Sequence, residues 1–201
     1  MKLFFKIFSY LFHPIFVPVA GTITYFVITP KYSPLELQSG NILPVFILTV
    51  IIPIISFLIL KNLGVVSSIF LPGTNERKYP LIIQIALILM IIIKVIPNNY
   101  TLELNFFFVG LLSATIACLF LIFLKFRTSL HMVGMGSFLM FLIALSVHFE
   151  INIIIAISLF TLLTGILATA RLYLNRHTRA EVLIGFLIGF TSQLLTIKFW
   201  L

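Results

Sequence analysis

An all-α integral membrane protein, a bundle of six to seven transmembrane helices, is the fold class that three observations predict. Hydrophobic residues fill 61% of the 201 positions and charged ones only 9%. With a mean hydropathy of +1.23, that is more apolar surface than a water-soluble domain can hide in one core. The apolar residues gather into runs of about 20, the length that crosses a bilayer. All five acidic residues are glutamate, and aspartate, which is costly in mid-membrane, does not occur.

The runs fall at Phe4 to Ile28, Ile42 to Leu60, Pro80 to Ile96, Leu104 to Leu124, Leu130 to Phe149, Ile151 to Ala170 and Val182 to Phe199. Residues 1–201 therefore form a single transmembrane domain, with no repeat or soluble linker. The first run follows Met1, Lys2 and Lys6 in the manner of a signal peptide, but it continues through Val27 without a clear small-x-small cleavage site, so a retained span is expected. His13-Pro14 and Pro18 interrupt the first run, and Pro44 and Pro53 the second. Both helices are expected to bend there, with neighbours satisfying the freed carbonyls. The third opens with Glu76-Arg77-Lys78-Tyr79-Pro80, and proline suits a first helical turn. The fourth holds Cys118, the only cysteine, which permits no intrachain disulfide or cysteine metal site and is expected to be a small core residue. The fifth begins at His131, followed by Gly134 and Gly136, small residues that let helices approach closely. The last follows Thr178-Arg-Ala-Glu181, which has the spacing of a capping box.

The net charge of +8 does not mark a nucleic-acid protein, because the 13 Lys and Arg sit at the ends of apolar runs instead of on one amphipathic surface. Anionic lipid or a phosphorylated substrate is the better partner. With seven spans, the segments Lys61 to Tyr79, Lys125 to Ser129 and Arg171 to Ala180 share a face with the N-terminus. That face carries ten of the 13 cations, against Lys31, Lys94 and Lys198 on the other. Setting aside Arg77, Lys78, Arg171 and Arg176 as possible phosphate ligands still leaves six against three, so the positive-inside rule makes this face cytoplasmic.

The chemistry-bearing residues lie on that face. His177 and Glu181 are one helical turn apart, so the carboxylate can accept from one imidazole nitrogen and leave the other as a nucleophile or base. The same four residues also fit a plain helix cap, and both readings can hold together. Arg171 ends the sixth run, where its planar fork can grip two phosphate oxygens. His131 follows Arg127-Thr-Ser129-Leu at the mouth of the fifth run, a place where a lone histidine more often caps or snorkels. Arg77 and Lys78 face whatever is held at the start of the third.

Together these segments resemble the type 2 phosphatidate phosphatase superfamily of integral-membrane lipid phosphatases, as a divergent member. The resemblance covers about residues 75–190, a lipid-phosphatase-like core with motifs at 77–80, 128–131 and 170–181. The family pattern is Lys-x6-Arg-Pro, then Pro-Ser-Gly-His, then Ser-Arg-x5-His-x3-Asp. The third motif is matched by Ala170-Arg171, His177 and Glu181 with the spacing kept. The second survives as Thr128-Ser129-Leu130-His131, and the first as Arg77-Lys78-Tyr79-Pro80 without a lysine at Phe70 or Leu71. The resemblance implies that His177 attacks phosphorus, Glu181 orients it, and His131 protonates the leaving oxygen. Arg171 and Arg77, with Lys78 and Ser129, would neutralise the phosphoryl oxygens, and neither metal nor cofactor is required. The implied activity is hydrolysis of a phosphomonoester or diphosphate on a lipid through a phosphohistidine. The expected location is a bacterial inner membrane, with the N-terminus and the motif loops cytoplasmic. A non-catalytic binder or transporter of anionic lipid and a structural membrane subunit are the alternatives; lipid headgroup and oligomeric state stay open.

The remaining polar residues carry bland expectations. His13 is expected to bond a neighbouring helix, with lining the site as the alternative, His148 and Glu150 to form a solvated turn, and Tyr32, Tyr100, Glu103 and Trp200 to act as interfacial anchors.

Overall fold

The computed structural model describes residues 1–67, 74–96 and 99–200; Phe70 and Leu71, where the first motif lacks its lysine, lie outside them. The described residues contain no strand. They fold into α1 (Lys2–Leu11), α2 (Val17–Ile28), α3 (Leu35–Phe46), α4 (Ile52–Asn62), α5 (Thr74–Met90), α6 (Leu102–Phe123), α7 (Leu130–His148), α8 (Ile154–Tyr173) and α9 (Arg179–Ile197). Paired as α1–α2 and α3–α4, with the other five single, they make seven helices long and apolar enough to cross a membrane. The chain is an all-α integral membrane protein.

The prolines act through the hydrogen bonds they delete, though not all as expected. The first span breaks between α1 and α2 at a 3-10 turn, Pro14–Phe16, where His13 is the N-cap and its Nδ1 accepts from the Ile15 amide at 3.3 Å. Pro18 falls in the first turn of α2 and causes no second break. In the second span Pro53 cannot donate to the carbonyl a turn below, and a π turn, Ile47–Ile51, intervenes before α4. Another π turn, Ile91–Val95, ends the third span. There Asn105 of α6 donates its amide to the Ile96 carbonyl at 2.6 Å and the Ile92 carbonyl at 3.4 Å. One expectation is corrected: α5 starts at Thr74, so Pro80 lies inside the helix and not in its first turn.

α7 is the centre of the bundle. Its apolar stretch is 72% buried, against 17 to 39% for the other six spans, and α9 is its main neighbour. In a bilayer helices gain nothing by hiding apolar surface from lipid tails, so close van der Waals contact has to hold them. Glycine makes that contact available. A Cβ on Gly189 would overlap the Val133 carbonyl, one on Gly136 the Phe186 carbonyl, and one on Gly185 would lie 2.8 Å from the Ser129 carbonyl. Backbone thus rests on backbone. Behind this seam α6 supplies Leu104, Phe107 and Phe108, fully buried, with the Phe107 and Phe141 rings stacked 4.3 Å apart.

The end of the bundle remote from the motif loops holds a second polar cluster, and it revises the anchor and turn expectations. Glu103 is only 3% exposed. Its carboxylate accepts from Tyr25 at 2.9 Å and Lys31 at 2.6 Å, and faces His148 Nε2 at 3.3 Å. Trp200 is buried with its ring edge-on to His148, and the Tyr100 hydroxyl donates to the Tyr32 carbonyl. Glu150, at φ 51°, sits in an exposed turn as expected, and Tyr32 and Tyr100 are exposed at the same end. Glu103 and His148 lie at the adjoining ends of the consecutive spans α6 and α7 and pair there, as buried ionisable groups in a membrane do.

The seam makes a quantitative expectation. Gly189→Ala should lower the thermal midpoint in detergent, at a cost of about 1–3 kcal/mol from overpacking. Gly165→Ala is the control, since no atom lies within 4 Å of its Cβ position, and it should leave the midpoint unchanged or higher. Equal midpoints for the two variants would refute the close seam.

Candidate functional site

The site grows from the first turn of α9. Thr178 is the N-cap: its Oγ1 accepts from the Glu181 amide at 3.3 Å, while Glu181 Oε2 accepts from the Thr178 amide at 3.2 Å. The same Oε2 lies 2.8 Å from Nδ1 of His177. The cap and the histidine partner are therefore one carboxylate. Its other oxygen, Oε1, faces Nε of Arg127 at 3.7 Å. With its Nδ1 proton given to Glu181, His177 presents the Nε2 lone pair, which has no hydrogen-bond partner among the described residues.

The start of α7 is keyed onto this turn. The Ser129 amide donates to the Glu181 carbonyl at 3.1 Å, and Gly185, one turn along α9, leaves room for the Ser129 backbone. Motifs two and three are thus joined main chain to main chain. Ser129 is fully buried, and its Oγ has no partner among the described residues. Thr128 donates to Cys118 at 3.3 Å, which places the lone cysteine in the core as expected.

The cations converge on the same end. Arg77 lies within electrostatic reach of Arg127 and Glu181, and Arg171 of Arg77 and Arg176. Arg77, Arg127 and Thr128 line a small crevice closed by Leu81, Ile122 and Leu130. Among the described residues Glu181 is the carboxylate at this cluster, since Glu76 is turned onto Ser67, accepting from its amide and hydroxyl at 3.0 and 2.9 Å. Holding guanidiniums beside one another is unfavourable unless an anion is shared between them. The Nε of Arg171 is buried with no partner in the described structure.

His131 faces this group from α7, its Nε2 3.1 Å from the Ser9 carbonyl of α1. Arg171, His13 and His177 all lie within its electrostatic reach. Of the residues expected from sequence, then, His177, Glu181, His131, Arg171, Arg77 and Ser129 gather at one end of the bundle. Lys78 does not join them: its ammonium lies over the Tyr79 ring, 5.2 Å from the centroid, because it is rotated about 100° around α5 from Arg77. Two further members are Arg127, which sequence reasoning gave no role, and His13, for which lining the site was the lesser alternative. Arg127, two positions before Ser129, pairs with Glu181. His13 meets His131 edge-on at 5.2 Å between ring centroids, and its signal was its place before Pro14 at a helix break. Among the described residues no group of three or more His, Cys, Asp or Glu could hold a metal ion. The larger apolar recess, between Phe4, Phe5 and Gly165 on the outer seam of α1 and α8, contains none of these groups. No protein-family model, curated protein or solved structure matches the chain.

Burial sets the protonation of His177. Its side chain is 4% exposed, and its pKa is lowered from 6.5 to about 4, first by burial and then by Arg171 and Arg77, against the opposing pull of Glu181. The imidazole therefore stays neutral, the nucleophilic form, at ordinary pH. The sign for stability follows by linkage: between pH 6.5 and about 4 the unfolded chain binds the proton that the folded chain refuses. The contribution is complete above pH 6.5 and is lost as pH falls toward 4. Thermal midpoints measured across this range should fall more steeply for the wild type than for His177→Asn; parallel slopes would show that His177 is not held neutral.

Proposed function

We propose that this chain is a membrane lipid phosphatase, hydrolysing a phosphomonoester or diphosphate of a lipid through a phosphohistidine on His177. The observation that carries the reading is the 2.8 Å contact between His177 Nδ1 and Glu181 within a cluster of guanidiniums. It joins an oriented nucleophile to the cations that a transferred phosphoryl group needs.

In the first half-reaction the Nε2 lone pair bonds to phosphorus as the bond to the lipid oxygen breaks. His177 becomes a cation, and Glu181 stabilises it across the Nδ1 hydrogen bond. The leaving oxygen takes a proton from His131, which the charge of the bound phosphate holds as an imidazolium with a proton on each ring nitrogen. With Nε2 of His131 committed to the Ser9 carbonyl, Nδ1 is the nitrogen left to exchange that proton. In the second half a water attacks phosphorus, its proton returns to His131, and the P–N bond breaks to release phosphate and neutral His177. Arg171 and Arg77 balance the charge on the equatorial oxygens, which is where most of the catalysis in such a transfer resides. Ser129 adds a hydroxyl donor. Arg127 supplies a further cation beside Glu181, where the first motif lacks its lysine, and the tautomer of His177 needs neither metal nor cofactor to be nucleophilic.

The orientation follows from the cations: the site faces the cytoplasm of a bacterial inner membrane, and the substrate comes from the inner leaflet. A cysteine at the exposed Ala180 should be shielded from an impermeant thiol reagent in intact cells and labelled after lysis. Ready labelling of intact cells would reverse the orientation and point to outer-leaflet substrates.

His177→Ala should abolish phosphate release from a panel of lipid phosphates in detergent micelles, while Glu181→Gln, which preserves the cap, should cut turnover without a matching loss of thermal stability. Undiminished release by His177→Ala would refute the phosphohistidine. No release by the wild type from any lipid of the panel would favour an anionic-lipid binder.

A further inference from the structure

The N-terminal helix pair brings polar groups to the site that no motif assigns. His13 is the first. Its Nδ1 is occupied as acceptor of the Ile15 amide at 3.3 Å, and this fixes the tautomer of the neutral ring: the proton resides on Nε2, which is a donor. The ring stands edge-on to His131, and Arg171 is within its electrostatic reach. Ser9 is the second. Its carbonyl holds His131, while its Oγ, in a residue only 6% exposed, has no hydrogen-bond partner among the described residues. The buried Oγ of Ser129 and Nε of Arg171 are likewise without partners there. A buried polar hydrogen left unmatched is costly; of the five such side-chain atoms among the described residues, Thr29 and Trp200 hold two at the far end, and the other three belong to Ser9, Ser129 and Arg171 at this one, where a ligand would satisfy them. Arg171 and His13 can only donate, and the two hydroxyls can do so. The class that matches is a tetrahedral oxyanion.

We infer that His13, with Ser9, forms a phosphate-binding corner against Arg171 and His131, so that the break between α1 and α2 positions a substrate-binding residue. The inference rests on the phosphatase reading for its substrate and adds to that reading a residue outside the three motifs. It also gives the Pro14 break a purpose. A helix continuing through Phe12 would use the amides that the break releases, and His13 would lose the Ile15 amide that orients its ring.

His13→Asn separates binding from folding, because asparagine is a good N-cap and can keep the Ile15 amide satisfied while deleting the Nε2 donor. The probe is inorganic phosphate, titrated calorimetrically into the detergent-solubilised full chain, with KM and kcat measured on phosphatidate in mixed micelles. Loss of one hydrogen bond to an anion should weaken phosphate binding about tenfold or more and raise KM in step, with kcat little changed and the phosphate-free thermal midpoint kept. Ser9→Ala, which deletes one hydroxyl and keeps the carbonyl against His131, should weaken phosphate binding in the same direction and decides the matter if His13→Asn melts early. Wild-type affinity in both variants, or no phosphate binding by the wild type, overturns the corner. The two readings fail separately. Unchanged KM and affinity in the variants, with His177→Ala dead, would leave a phosphatase without this corner. Weakened phosphate binding, with no turnover by the wild type, would leave the corner as part of an anion-binding protein.

Discussion

Because Gly136, Gly185 and Gly189 lack a Cβ, α9 seats on the backbone of α7, and the polar end of the protein is built outward from that seam. The glycines bring the Ser129 amide within 3.1 Å of the Glu181 carbonyl, which ties the loop before α7 to the first turn of α9. His131 follows two residues after Ser129 at the start of α7, and Arg127, two residues before that serine, faces Glu181 Oε1 at 3.7 Å. Moving α9 outward by the width of a methyl group would break this main-chain bond before it disturbed any side chain. Apolar burial cannot replace such a contact in lipid, where close packing and hydrogen bonds have to hold the helices.

Glu181 concentrates three tasks in one carboxylate: it closes the capping box, accepts from His177 and balances Arg127. The economy has a physical reason. A second carboxylate near the membrane face would cost desolvation and would cancel the positive potential that draws an anion. Glu103 at the opposite end makes the contrast. It too is buried, but Tyr25, Lys31 and His148 satisfy it on the spot. That cluster ties α2, α6 and α7 together through one carboxylate, whereas at the other end the Nε of Arg171 keeps no partner among the described residues.

The bends serve the same arrangement. The break before Pro14 turns α1 across the mouth of α7, close enough for the Ser9 carbonyl to meet His131, and Gly134 leaves room for Val17 just beyond the break. The earlier start of α5 at Thr74 places Arg77 on helical backbone instead of in a loop, so its direction is set by the helix. One consequence is that neighbours in sequence part company: Arg77 turns toward Glu181 and Lys78 toward Tyr79.

The sequence by itself determined the membrane class, the seven spans and their approximate limits, because apolar run length and the cost of buried charge act locally. It also marked the His177–Glu181 pair and the capping box, since residues three and four apart around a helix start lie within reach of one another. Only the tertiary structure decided which distant groups share a place. Gly134 and Gly136 marked a close-packing helix without naming its partner; Arg127, His13 and Ser9 reach the site through helix packing, and Tyr25 and Lys31 meet Glu103 from far along the chain, none of which a run of sequence contains. At the π turn Ile91–Val95 the Ile96 carbonyl likewise takes its side-chain partner, Asn105, from another helix. Local spacing fixes what one helix presents. Which of those faces meet depends on where a missing Cβ lets two backbones touch.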